Sequence, residues 1–233
     1  MSTVPSRSAF LTPRSEPAAT WVTGIGAVVI VVLFGLLAAR NTAFSSAETQ
    51  LSAAFNAAHV GALGSVTSAI YAIFSPVPAI VITLVIAAAV WLRSRDLRLA
   101  ITFGVVIAVT WIPSAVVKAL VHRPRPDAAL LPHPFAVQPT DASYPSGHMV
   151  FITALVVTLI LLTRGHRLRP LVVALGIVLA LVVAFALVID GVHFTTDVLA
   201  SAVWSLGLAP LVLEVWNRVV VPRSYPRSGS SRH

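Results

Sequence analysis

The chain has 233 residues, of which 57% are apolar and 10% are charged, and it contains no cysteine. Soluble domains carry about a quarter charged residues, so a soluble globular enzyme is excluded. Disordered chains and disulfide-stapled secreted folds are excluded as well. Six membrane-spanning helices of roughly 20 residues each fit this length with no room for a second domain. The composition therefore predicts an all-α, polytopic membrane protein built as a six-helix bundle.

The amino-terminal third begins with a polar segment, residues 1–20, which is predicted to be a disordered cytoplasmic arm. The first apolar run, Trp21–Ala39, has no charged residue. It exceeds the core of a usual signal peptide, which favours a span over a cleaved leader. From Arg40 to about Ser65, apolar residues recur at helical intervals among small polar ones. This pattern predicts an amphipathic helix at the membrane interface after the first span.

Five more apolar runs complete a membrane domain predicted over residues 21–217. Their predicted bounds are Ser68–Leu92 with a kink at Pro76 and Pro78, Leu99–Val117, Met149–Thr163, Leu171–Ile189 and Val192–Trp216. Residues 218–233 are predicted to be a basic cytoplasmic tail.

The basic residues predict the orientation of this bundle. Twelve arginines fall in the two terminal segments and the second-to-third and fourth-to-fifth loops, against four basic residues on the opposite side. Cytoplasmic loops are enriched in Lys and Arg, so both termini are predicted on the cytoplasmic side of a bacterial inner membrane. The same distribution accounts for the net charge of +8 without a nucleic-acid partner.

Three polar clusters lie at the ends of apolar runs, and the predicted topology places all three on the extracytoplasmic face. They are Lys118 with Arg125-Pro126, Tyr144-Pro-Ser-Gly-His148, and His193 with Asp197. Charged groups beside a bilayer core are costly and usually functional when they cluster. The clusters therefore predict one shared site.

The side chains of the clusters suit a phosphate ester. Lys118 and Arg125 supply positive charge and directed donors. The segment Ser146-Gly147-His148 lies where a loop enters a helix, so its backbone N–H groups can hold phosphate oxygens. His193 and Asp197 are one helical turn apart, so the carboxylate can bond one imidazole nitrogen and free the other for nucleophilic attack.

Each cluster also has a simpler interpretation. The two cations could contact lipid headgroups, Pro-Ser-Gly-His could be a turn with a helix cap, and His193 with Asp197 could be an interfacial hydrogen-bonded pair. Their shared face favours the phosphate site. A metal site is less favoured, because the ligand spacing is not compact and the cations would repel a metal ion.

The three clusters resemble the motifs of the type 2 phosphatidic acid phosphatase superfamily, the membrane lipid phosphate phosphatases related to soluble haloperoxidases. The first motif, Lys, six residues, Arg-Pro, is matched from Lys118 to Pro126, and the second by Pro145–His148. The third motif is Ser-Arg, five residues, His, three residues, Asp. Only its second half is matched, because Ala186 and Leu187 stand where the family has Ser and Arg.

The resemblance implies a mechanism without a metal or other cofactor. His193 would form a phosphohistidine, Asp197 would hold its tautomer, and His148 would act as general acid and base. The phosphate would be bound by Lys118, Arg125, Ser146 and Gly147, with Arg123 as a candidate substitute for the missing arginine. The expected substrate is a lipid phosphate monoester or diphosphate in the bilayer, with polyprenyl diphosphate as the leading candidate.

Three other functions remain open from the sequence. A phosphotransferase would pass the phosphoryl group to another lipid or to a sugar. A catalytically degenerate member would bind lipid phosphate without turnover, as Leu187 in place of the family arginine suggests. A transporter is least favoured, because the charges gather at one face and not at the mid-plane. The sequence gives no prediction of oligomeric state.

Overall fold

The computed structural model describes residues 10–13 and 17–221, and within this part of the chain all regular structure is helical. The all-α prediction is therefore confirmed for the described residues. The helices are α1 (Ala18–Arg40), α2 (Thr42–Asn56), α3 (Gly61–Ile73), α4 (Pro76–Ser94), α5 (Leu97–Trp111), α6 (Ser114–Val121), α7 (Gly147–Leu162), α8 (Arg169–Ile189) and α9 (Thr195–Val219), with a 3₁₀ turn at Ala128–Leu130.

Five described segments are long and apolar enough to cross a membrane. They are α1, α4, the combined α5–α6 segment Leu97–Val121, α8 and α9. The predicted fourth span corresponds to α7, which is apolar but has only 16 residues, shorter than the roughly 20 that a span needs. The count of six spans thus stays a prediction.

The predicted second span, Ser68–Leu92, is wrong as a single element, because it consists of the end of α3 and most of α4. Ser75 between them has an extended backbone, with ψ of 163°. The residue before a proline is disfavoured in the helical region, and Pro76 at the first position of α4 loses no intrahelical hydrogen bond. The two prolines start a helix here instead of kinking one.

Helix α2 occupies most of the segment predicted as an interfacial amphipathic helix. Its buried residues are Glu48, Ser52 and Asn56, spaced four apart on one face. This face is polar and packs against the protein. An interfacial helix would instead bury an apolar face in lipid, so the interfacial position of α2 stays a prediction.

Helix α7 lies at the centre of the bundle, with every side chain from Met149 to Thr158 buried. It packs against α5, α8 and α9, while α1 packs along the outer side of α9. The α1–α9 approach is close at Gly207, where a Cβ would lie 2.4 Å from the Cβ of Ala27. Small residues permit such contacts between apolar helices. The arrangement fixes α9 between α1 and α7, and α9 carries the third motif.

The predicted arm and tail are described only in part. Phe10 is buried against the end of α9, and its carbonyl accepts a hydrogen bond of 2.8 Å from Asn217 Nδ2. Helix α1 already begins at Ala18. The rest of the arm, residues 1–9 and 14–16, and residues 222–233 of the tail lie outside the described residues.

Candidate active site

The motif residues meet at one end of the bundle, where α6 ends and α7 and α9 begin. The Ser146 backbone N–H donates to Ser201 Oγ at 2.8 Å, and this hydroxyl donates to the Asp197 carbonyl at 2.6 Å. The second motif is thereby tied to the first turns of α9. The second and third clusters therefore lie together, as predicted. Arg125 of the first cluster also lies next to His193.

His193 lies between two of the other predicted site residues, Arg125 and Asp197. Its Nε2 lies 3.4 Å from Arg125 Nη1, and its Nδ1 lies 3.6 Å from Asp197 Oδ2. The imidazole is only 1% exposed and Asp197 is fully buried. The ring is therefore held between a cation on one side and a carboxylate on the other.

This geometry assigns the tautomer of His193. A guanidinium can only donate hydrogen bonds, so Nε2 facing Arg125 presents its lone pair. The proton then lies on Nδ1, which faces Asp197 at 3.6 Å, a distance too long for a hydrogen bond. Burial, together with the positive charges of Arg125 and Lys118, lowers the pKa of His193 well below its ordinary value. The imidazole is thus neutral at neutral pH, with Nε2 available as a nucleophile.

A glycine turn places His193 between α8 and α9. Gly191 has a φ of +68°, which L-residues rarely adopt. A Cβ at Gly191 would lie 2.5 Å from Leu131 Cδ1 and 3.2 Å from Asn56 Nδ2. Asn56 Nδ2 in turn donates to the Ile189 carbonyl at 2.9 Å and the His133 carbonyl at 3.0 Å. The turn is therefore enclosed by α2 and by the loop that follows α6.

Lys118 and Arg125 lie close together and share one carboxylate, that of Asp141. Lys118 Nζ lies 2.5 Å from Asp141 Oδ2, and Arg125 Nη2 lies 2.7 Å from Asp141 Oδ1. The carboxylate side chain is 55% exposed, whereas the two cations are largely covered. Partial burial opposes ionisation of Asp141, but its hydrogen bonds from the two cations lower its pKa to about 2. Lys118 and Arg125 are thus already paired with an anionic side chain, that of Asp141.

Arg125 is held in place by the backbone as well. Its Nε donates to the Asp141 carbonyl at 2.9 Å, and its Nη1 donates to the Val192 carbonyl. These bonds fix the guanidinium beside His193 before any ligand binds. A fixed guanidinium is suited to a phosphoryl group, because its donors match the oxygens in pairs.

Ser146 and Gly147 start α7, as both interpretations of the Pro-Ser-Gly-His motif require. The Ser146 Oγ accepts from the Met149 backbone N–H at 3.4 Å, a long capping bond. Gly147 is not required for steric reasons, since a Cβ there would meet only Trp111 Nε1 at 3.7 Å. The cap and the phosphate-binding role use the same helix N-terminus and do not exclude each other.

His148 packs in an aromatic environment that sequence reasoning missed. Its ring lies 4.2 Å from the Tyr71 ring, and Tyr71 also packs on Phe135 at 4.9 Å between ring centroids. The Nε2 of His148 is 3.2 Å from the Tyr71 carbonyl. Helix α3 and the loop after the first motif therefore orient the predicted general acid. No feature of the sequence singled out Tyr71 from other aromatic residues in apolar helices.

Arg123 is 1% exposed and bonded to two carboxylates. Its Nη1 donates to Asp197 Oδ1 at 2.7 Å and to Thr196 Oγ1 at 2.9 Å, and its Nη2 donates to Glu48. With both terminal nitrogens engaged in this way, we propose that Arg123 positions Asp197 and does not take the place of the missing phosphate-binding arginine. Glu48 was missed by sequence reasoning, although it is the only acidic residue between positions 17 and 95.

Leu187, which stands where the family motif has arginine, is fully buried in the apolar core. The same cluster includes Phe103, Phe151 and Val183. The position is therefore filled by packing and not by a polar substitute. Among the described residues, no three His, Asp or Glu side chains are close enough to share a metal ion.

Comparison with known proteins defines the family. Residues 99–220 match the model of the PAP2 superfamily, which is the family that the three motifs resemble. The match covers more than half of the chain and includes all three motifs. The protein belongs to the PAP2 superfamily.

Two individual proteins resemble the chain. An undecaprenyl-diphosphatase of Sulfolobus acidocaldarius is 33% identical over 116 residues, which are 49% of this chain. The alignment covers 52% of that relative, so the chain spans about half its length. A transmembrane PAP2 type phosphatidylglycerolphosphate phosphatase from Bacillus subtilis has a similar crystal structure, with a TM-score of 0.69 and 22% identity, covering 89% of this chain and 100% of that one. The structural match shows a shared fold.

Proposed function

We propose that the protein is an integral membrane lipid phosphatase that hydrolyses a phosphate monoester or diphosphate through a phosphohistidine on His193. The observation that carries this proposal is the placement of His193 Nε2 at 3.4 Å from Arg125 Nη1. A phosphoryl group bound by Arg125 would lie next to the nitrogen lone pair. Membership of the PAP2 superfamily supports the same chemistry.

The proposed reaction has two displacement steps. The Nε2 lone pair forms a bond to phosphorus, the bond from phosphorus to the leaving oxygen breaks, and His148 supplies a proton to that oxygen. Water then attacks phosphorus and gives a proton to His148, while the phosphorus–nitrogen bond breaks and its electrons return to Nε2. Asp197 stabilises the positive charge that the imidazole carries between the steps.

The positive charge of the site replaces a metal ion in this proposal. Lys118 and Arg125 would hold the equatorial oxygens in the transition state, together with the Ser146 hydroxyl and the Gly147 N–H at the start of α7. Asp141 must release the two cations before a phosphate can bind to them, because its carboxylate now accepts bonds from both.

A polyprenyl diphosphate is the proposed substrate, and the site is proposed to face away from the cytoplasm. The relative from Sulfolobus acidocaldarius is named as an undecaprenyl-diphosphatase, which supports this substrate class. The distribution of arginines supports the orientation. An outward-facing site would suit a carrier lipid released on that side of the membrane.

A catalytically degenerate protein that binds lipid phosphate is the second candidate, and the burial of Leu187 in the apolar core favours it. Loss of a preorganised charge contact commonly slows a reaction by about a hundredfold or more. The site would then retain binding without useful turnover.

Phosphate release from a panel of lipid monophosphates and diphosphates in detergent tests the proposal. The wild-type protein is expected to release phosphate, most rapidly from polyprenyl diphosphate, and His193→Ala is expected to abolish release. Binding without release would favour the degenerate protein. Product that forms only when an acceptor lipid or sugar is added would indicate a phosphotransferase.

A further inference from the structure

We infer that Glu48 of α2 is a positioning residue for the catalytic pair, acting through Arg123 and the first turn of α9 on Asp197. This inference rests on the proposed function, because it assigns Asp197 to the support of the nucleophile. Glu48 lies outside the three motifs and outside the residues matched by the family model. It is 6% exposed, which is rare for a carboxylate unless it is paired.

Glu48 is bonded to two separate parts of the site. Its Oε1 accepts from the Thr196 backbone N–H at 3.2 Å, and its Oε2 accepts from Thr196 Oγ1 at 2.7 Å and from Arg123. The carboxylate thus satisfies a free N–H group at the start of α9, where a negative charge is also favoured by the helix dipole. One side chain fixes both Arg123 and the turn that carries Asp197.

Arg123 transmits this restraint to Asp197 by a bond of 2.7 Å to Oδ1. The other oxygen, Oδ2, accepts from the Phe194 backbone N–H at 2.9 Å and faces His193 Nδ1 at 3.6 Å. The Asp197 carboxylate therefore cannot rotate without breaking one of these bonds. The separation from His193 is then set by the position of Arg123.

Helix α2 encloses the guanidinium of Arg123 with two residues one turn apart. The Phe44 ring centroid lies 5.8 Å from Arg123 Cζ, and Glu48 follows four positions later on the same face. The Phe194 ring lies at 4.3 Å. Excluding water from around a charge pair strengthens it and leaves few alternative positions for Arg123. Phe44 and Glu48 thus form, together with Arg123, a buried group of contacts next to Asp197, which is called the brace below.

The charges of the brace are suited to the reaction. Glu48 and Asp197 carry two negative charges against the single positive charge of Arg123. Because Glu48 balances Arg123, the carboxylate of Asp197 remains available to stabilise an imidazolium on His193. Without the charge of Glu48, Arg123 would compete with His193 for the carboxylate of Asp197. Arg123 and Asp197 could also shift, and displacements of about 1 Å can cost a hundredfold in rate.

Glu48→Gln tests the inference, since it keeps the size of the side chain and removes the charge. We expect kcat to fall about ten- to a hundredfold with KM within about threefold of wild type, because the groups that bind phosphate do not touch Glu48. Arg123→Lys keeps the charge but replaces the two terminal nitrogens that bond Asp197 and Glu48 with a single nitrogen. It is expected to give the same pattern. The double variant should be no slower than the slower single variant, because both changes break one brace.

Glu214→Gln is the matched control for loss of a buried carboxylate. Glu214 is 3% exposed and paired with Arg218, about 25 Å along α9 from Asp197 at 1.5 Å per residue. We expect wild-type kcat for it, with thermal unfolding in detergent measured for every variant. Any of three results would overturn the inference while leaving the phosphatase proposal intact. These are equal kcat for Glu48→Gln and wild type, equal losses of kcat for Glu48→Gln and Glu214→Gln, or additive losses in the double variant. A wild-type protein that releases no phosphate would overturn both.

Discussion

Arg125 and His193 are juxtaposed through Nη1 and Nε2 at 3.4 Å, with the guanidinium also bonded to the carbonyl of Val192, the residue before His193. The first and third motifs, which are 67 residues apart at Pro126 and His193, are thus joined in one rigid contact. The contact favours one imidazole tautomer and places the proposed phosphate-binding group beside the proposed nucleophile. Such preorganisation lowers the cost of reaching the transition state.

Asp141 competes with substrate for the cationic pair, so Asp141→Asn is expected to lower KM. The carboxylate is more than half exposed, and exposed ion pairs contribute about 0.2–1 kcal/mol, which predicts a KM about 1.4- to fivefold lower. Because the pKa of Asp141 is about 2, the carboxylate stays charged as pH falls to about 5. The ratio of the two KM values should therefore be constant between about pH 5 and pH 8.

Asp127→Asn is the control for this change, because Asp127 lies in the same loop and only caps the 3₁₀ turn through the Ala129 N–H. Its KM should equal that of wild type. A higher KM for Asp141→Asn would show that Asp141 orients Lys118 and Arg125 for the substrate and does not compete with it.

Gly191→Ala is expected to reduce both stability and activity. The added Cβ adopts an unfavourable φ and meets Cδ1 of Leu131 at 2.5 Å, so either Leu131 or the turn that carries His193 must shift. Gly165→Ala separates the effect of the unfavourable φ from that of the steric contact. Gly165 has a φ of +78°, and there is open space around it. The control should lose about 1 kcal/mol of stability and keep its kcat. Equal behaviour of both variants in unfolding and turnover would contradict the proposed tight turn.

Restoring the family arginine should not restore a phosphate contact. Leu187 is packed among Phe103, Phe151 and Val183, and an unpaired charge in such a core costs several kcal/mol. We expect Leu187→Arg to lower the thermal unfolding temperature in detergent below that of Leu187→Ala, which itself costs about 2–5 kcal/mol. An arginine variant with wild-type stability and faster phosphate release would show that the position reaches the site.

The sequence was sufficient to predict that the motif residues lie together, but not which other residues support them. Lys118, Arg125, His193 and Asp197 stand in motifs with fixed spacing, and spacing is a property that a sequence displays directly. The partners of Arg123 could not be predicted, because Glu48 lies 75 residues away and is brought there only by the packing of α2. The prediction that Arg123 substitutes for the missing arginine was based on its place in the first cluster, which does not reveal that two carboxylates surround its guanidinium.

Some helices could be predicted from the sequence, and one helix break could not. The apolar runs predicted α1, α8 and α9, since uncharged stretches near 20 residues are typical of spans. The break between α3 and α4 was not predicted, because a proline in a membrane helix is compatible with either a kink or a new start. Local composition does not decide between these, and the extended backbone of Ser75 that separates the two helices is seen only in the structure.

The proposed role of His193 as the nucleophile can be tested by trapping the phosphorylated protein. Wild-type protein is mixed with a radiolabelled polyprenyl diphosphate and quenched in alkali, in which phosphohistidine survives and phosphoesters of serine do not. We expect an acid-labile label on the peptide that contains His193, and no label in His193→Ala. Label on any other residue, or phosphate release by His193→Ala at the wild-type rate, would contradict it.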